Sequence, residues 1–114
     1  MTILSLETSK KVYELCGEYD TERVFAYDFD GRYTVMFREE LEICLGDVPA
    51  PNFAELIRLL RKIGEKKGWK QGEFSDAVGV AFSLLMLYMN APTEPEGMRA
   101  VEEYLMKLFY DPRR

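Results

Sequence analysis

Val48-Pro49-Ala50-Pro51-Asn52-Phe53-Ala54-Glu55-Leu56-Ile57-Arg58-Leu59-Leu60 divides this 114-residue chain in two. Before it the sequence reads as a helix followed by aromatic, β-prone runs; after it, as helices. Proline has no N–H to give to a strand ladder, so Pro49 and Pro51 predict an end to strand pairing. Asn52 is then placed to accept a hydrogen bond from a free N–H of the next helix, and Glu55 stands three residues on, as a capping box requires. The helix over Phe53–Lys67 carries Phe53, Leu56, Ile57, Leu60 and Ile63 as its buried stripe. Gly68 ends it, and Trp69 is expected to pack back on it.

Upstream, residues 5–16 predict an amphipathic helix with Ser5 as N-cap and Gly17 just past its end. Two β-prone runs follow, Arg23-Val24-Phe25-Ala26-Tyr27-Asp28-Phe29 and Arg32-Tyr33-Thr34-Val35-Met36-Phe37-Arg38. Asp30-Gly31 between them signals a two-residue type I′ hairpin, which would pair Phe29 with Arg32 and set Phe25 opposite Met36. Both faces of that hairpin are apolar, so at least part of the second face should be covered, by a helix or a partner chain. Residues 40–45 continue as a third strand. Downstream, residues 73–89 are apolar on all sides, which places that helix in a core or at an interface. It is too short, and too interrupted by Asp76, Gly79 and Ser83, to span a membrane. Thr93 and Glu96 open a last helix with the stripe Met98, Val101, Leu105, Leu108 and Phe109. The expected fold is a single α+β domain over residues 1–114: an N-terminal helix, a three-stranded antiparallel meander, then three helices packed on the sheet.

The net charge of −5 argues against a general nucleic-acid binder. It is unevenly spread, because residues 52–70 carry a net +4 and leave the remainder at −9. The candidate binding surface is therefore Arg58, Arg61, Lys62, Lys66, Lys67, Trp69 and Lys70, which could hold an anionic partner by charge and stacking. The competing reading is the wet face of an amphipathic helix whose C-terminal half favours cations. Histidine is absent, which excludes a histidine-assisted nucleophile and histidine-bound zinc. Glu39, Glu40 and Glu42, and Glu102 with Glu103, read as solvated faces, and no phosphate-binding loop is present, so no cofactor or metal is expected. Met86, Met89, Met98 and Met106 read as an adaptable surface or as filling between the last two helices. Cys16 and Cys44 lack metal-ligand spacing and suit a reducing compartment. No secretory pattern opens the chain, so a cytoplasmic location is expected.

Phe25-Ala26-Tyr27-Asp28-Phe29-Asp30-Gly31 resembles the opening motif of haloacid-dehalogenase-type phosphatases. That resemblance implies Asp28 as nucleophile and Asp30 as general acid beside Mg²⁺. Arg32 stands where that family usually has threonine, and the residues after it read as a return strand. Across most of the chain, the order of Leu4-Ser5-Leu6-Glu7-Thr8-Ser9-Lys10-Lys11, an aromatic hairpin, Ala50-Pro51-Asn52-Phe53-Ala54-Glu55-Leu56-Ile57 and Ala100-Val101-Glu102-Glu103-Tyr104-Leu105 resembles small uncharacterised proteins of bacteriophages and prophages. It implies a bacterial cytoplasm and a mobile element, with no catalytic residues. The resulting expectation is a non-enzymatic interaction protein, homo-oligomeric through the apolar helix or the sheet, whose other partner is an unknown host or phage protein. The alternative is a Mg²⁺-dependent phosphatase-like enzyme using Asp28 and Asp30.

Overall fold

Ser5 and Asn52 start the helices that precede and follow the strands in sequence. The computed structural model describes residues 2–27, 30–40, 47–69 and 77–110. Helix α1 spans Leu6–Cys16, with the Ser5 hydroxyl accepting from the Thr8 N–H. Strands β1 (Arg23–Tyr27) and β2 (Tyr33–Phe37), a 3₁₀ turn at Arg38–Glu40 and strand β3 (Asp47–Ala50) follow. Helices α2 (Phe53–Lys67), α3 (Ala77–Asn90) and α4 (Glu94–Tyr110) complete an α+β fold in the expected order. At Asn52 the capping box is complete: Glu55 N–H donates to Asn52 Oδ1 and Asn52 N–H to Glu55 Oε1, both at 2.9 Å.

The sheet is three-stranded and antiparallel, but it is not a meander. Its order is β2-β1-β3, so β1 is central. The third strand is Asp47–Ala50, and the residues expected to form it, 40–45, begin in the 3₁₀ turn and then pass outside the described residues. Pro49 therefore lies inside a strand, opposite Val24, instead of ending the pairing. The physical reason is position: β3 is an edge, where a strand can spare an N–H on its outer side. Pro51 closes the strand, and its carbonyl accepts from Leu4 N–H at 2.9 Å.

The hairpin register is one residue away from the expected one. Tyr27 pairs with Tyr33 and Phe25 with Val35, which leaves a longer connection than a two-residue turn. Gly31 has φ of 80°, and no described non-glycine residue has positive φ, whereas a type I′ turn needs both central residues there. The proposed Phe29 pairing lies outside the described residues.

Two cores result. Phe25, Val48 and Ala50 on one face of the sheet pack with Ile3, which bridges to Asn52, and with Leu6 and Tyr13 of α1. Val24 and Ala26 on the opposite face are also buried, as the two apolar faces of the hairpin required. The larger core joins Leu4, Val12 and Cys16 to Leu56, Leu60 and Ile63 of α2, Val80 and Leu84 of α3, and Val101 and Leu105 of α4. Among the described residues the last three helices thus pack mainly on one another and on α1, and the main helix contact with the sheet is that of α1 on β3. Residues 73–76, expected to open α3, lie outside the described residues.

Candidate interaction surface

α3 contains no charged residue, and nothing in its composition marks an inner side. Packing does. Only Val80 and Leu84 are fully buried in it, held between α2 and α4. Ala77 and Ala81 turn towards α2, where Ile57, Leu60, Gly64 and Trp69 complete a groove of about 570 Å³. Leu87 and Asn90 turn towards α4, with Glu96 and Ala100 across from them. What remains faces solvent: Val78, Phe82, Leu85, Met86 and Met89, with Val78 75%, Phe82 67% and Met89 70% exposed. Val78, Phe82, Leu85 and Met89 are spaced four, three and four residues apart, the rhythm of a helix seam that packs against another helix. The five side chains expose on the order of 500 Å², at the upper end of single apolar patches on monomeric proteins. No helix among the described residues is long and apolar enough to cross a membrane.

A second exposed apolar group sits on the sheet, at Tyr27, Val35 and Phe37. It is smaller and more heavily screened by charge. The Arg23 guanidinium lies 4.9 Å from the Phe37 ring centre and Lys10 Nζ 4.8 Å from that of Tyr33, which itself meets Tyr27 edge-on.

The basic residues singled out by sequence divide between roles. Arg58, Arg61 and Lys66 are exposed on α2, and Lys62 is half-buried beside them. Lys67 instead donates from Nζ to the Phe109 carbonyl at 2.9 Å, capping the end of α4. Lys62 and Lys66 also lie near the Cys16 thiol, where burial raises its pKa and the two cations partly oppose the shift. Trp69 folds back as expected: its backbone N–H donates to the Gly64 carbonyl at 2.9 Å and its ring is half-buried against α2. A Cβ at Gly64 would stand 2.8 Å from that ring, so the contact requires glycine. Lys70 lies outside the described residues.

Of the two aspartates in the phosphatase-like motif, Asp30 is exposed in the turn between antiparallel strands, and Asp28 lies outside the described residues. Among the described residues no group of three or more acids or cysteines is placed to hold a metal ion. Glu39 and Glu40 are exposed on the 3₁₀ turn, while Glu102 is drawn inward to accept from the Ser5 N–H.

Sequence reasoning missed two structural anchors. Arg38 ties the sheet to the loop before it, donating to the carbonyls of Thr21 (2.9 Å) and Tyr19 (3.2 Å) and pairing with Asp47 at 3.8 Å. Glu94 accepts from Thr2 N–H at 3.1 Å, which tethers the start of the chain to α4. Neither contact has a local signal, because each joins residues far apart in sequence. The exposed seam has no distinguishing one either, because Ala77, Ala81, Leu84 and Tyr88 repeat the same four-three-four spacing on the packed side.

Comparison with protein-family models, with curated proteins and with solved structures finds no match for this chain.

Proposed function

We propose that this chain is a non-enzymatic interaction protein of phage or prophage type, working in the cytoplasm as a homo-oligomer. The observation that carries this reading is the outer face of α3. Burying large apolar side chains is favourable by about 25 cal/mol per Å² removed from water, so leaving five of them exposed on a well-packed helix is costly unless another surface meets them. The exposed cations of α2, the surface singled out by charge, border that face at Arg61, which shares a groove with Val78. On this reading Arg58 and Arg61 belong to the rim of the apolar contact, where charge selects and orients the partner.

Methionine oxidation tests it. Met86 and Met89 are exposed on a single chain and Met98 is buried. A covered α3 face makes Met86 and Met89 react with dilute peroxide slowly at high protein concentration and quickly after dilution, with Met98 slow throughout. Equal rates for Met86 and Met89 at every concentration would contradict the proposal. The phosphatase alternative is checked beside it: Mg²⁺-dependent hydrolysis of a phosphate monoester that disappears in Asp28→Asn and Asp30→Asn would overturn the non-enzymatic reading.

A further inference from the structure

We propose that α3 pairs with α3 of a second copy in parallel, about a two-fold axis running along the helix, so that Arg58 of each copy meets Glu103 of the other. This rests on the reading of the α3 outer face as a self-association surface and specifies how the copies meet.

Shape and area point to a second copy of this chain as the occupant. Val78, Phe82, Leu85 and Met89 form two successive pairs of seam positions, which interlock with an identical seam. Two such faces together bury about 1,000 Å² before their flanks are counted, which reaches the lower bound of a specific interface. A symmetric dimer uses the same patch twice and leaves no complementary surface unfilled.

The orientation follows from charge. α2 and α4 flank α3 on opposite sides, and both run antiparallel to it. On the α2 side, the Phe53 ring stacks on Tyr88 at 4.0 Å, and Gly64 lies beside Ala77. Arg58 therefore falls midway along α3. On the α4 side, Gly97 lies against Tyr88 and Ala91, and Glu96 shares a groove with Met86 and Asn90. Glu103, about two turns further on, falls at the same level. Both Arg58 and Glu103 are exposed. A two-fold axis along α3 brings the α2 flank of one copy over the α4 flank of the other at equal height. Arg58 then faces Glu103, and Glu65 faces Lys107, twice over. A two-fold axis across α3 gives an antiparallel pair and sets each flank against itself: Arg58 meets Arg58 and Glu103 meets Glu103 at its centre, against the opposite pairing of Glu96 with Lys107 towards the ends. Like charges at the rim oppose that arrangement, and opposite charges favour the parallel one.

Cysteine crosslinking separates the two. In a Cys44→Ser background, Val78→Cys and Met89→Cys are introduced singly at the two ends of the seam, both at exposed positions. A parallel pair brings each position to its own copy, so each variant alone forms a disulfide dimer on mild oxidation. Crosslinks that form only when the two variants are mixed show an antiparallel pair and overturn the inference while leaving self-association standing. No crosslink in any sample, with the mass of a single chain, overturns the underlying reading as well. As a second measurement, Glu103→Arg should weaken dimerisation about tenfold, and adding Arg58→Glu should restore it. A swap that leaves the dissociation constant unchanged overturns the inference.

Discussion

Both carboxylate oxygens of Glu55 are used by backbone N–H groups from different parts of the chain. Oε1 closes the capping box with Asn52, and Oε2 accepts from Glu22 N–H at 2.8 Å, just before β1. The first contact is written in the local spacing, and the second joins residues that no local rule connects. Glu55→Ala should therefore cost more than a simple cap, about 2 kcal/mol in chemical denaturation, against about 1 kcal/mol for Asn52→Ala. Tyr19 shows the opposite situation. Its hydroxyl is buried with no hydrogen-bond partner among the described residues, and burial pushes its pKa up, with Cys16 and Glu55 adding to the shift. Tyr19→Phe should be neutral or stabilising by up to about 1 kcal/mol in the same assay, and a clear loss of stability would contradict that assignment.

At the scale of elements, the helices were the more legible part of the chain. The α2 boundaries follow directly from Asn52, Glu55 and Gly68, and the buried stripe of α4 matches its periodicity at Met98, Val101, Leu105 and Leu108. The sheet was less so. Whether Pro49 ends a strand or edges a sheet depends on which neighbour pairs with it, and that is a tertiary fact. The hairpin slipped by one residue because Asp-Gly does not by itself fix loop length. α3 gave no inner side until it was packed, so its two faces make a sharp contrast. Leu84→Ala, at the buried face, should destabilise by about 3 kcal/mol. Phe82→Glu, at the exposed face, should change the stability of dilute single chains by less than about 0.5 kcal/mol in thermal melts. The tether to α4 responds to acid. The Thr2 N–H, and then the Tyr88 hydroxyl, hold the Glu94 carboxyl below its ordinary value of 4.5. A lowered pKa in the folded state means the contribution is complete above that ordinary value and fades as the pH falls through the folded one. The Thr2 amide resonance should therefore shift on acidification below about pH 4.5, and Glu94→Gln should abolish the shift.

At the scale of the whole molecule, charge and apolar surface come together on one side. The boundary at Pro49–Asn52 turns the chain from the sheet into α2, whose inner face builds the helical core and whose outer cations border α3. Sequence pointed to the cations first, because charge stands out in composition. The apolar face beside them was legible only as a helix with too many apolar residues, since which of them are spare is decided by α2 and α4. If this face lies against another copy of the chain, as proposed, the molar mass in solution must exceed that of one chain. Light scattering at micromolar concentration should give twice 13.3 kDa or a higher multiple for the natural chain, and 13.3 kDa for Phe82→Glu. A mass of 13.3 kDa for both would contradict self-association through α3.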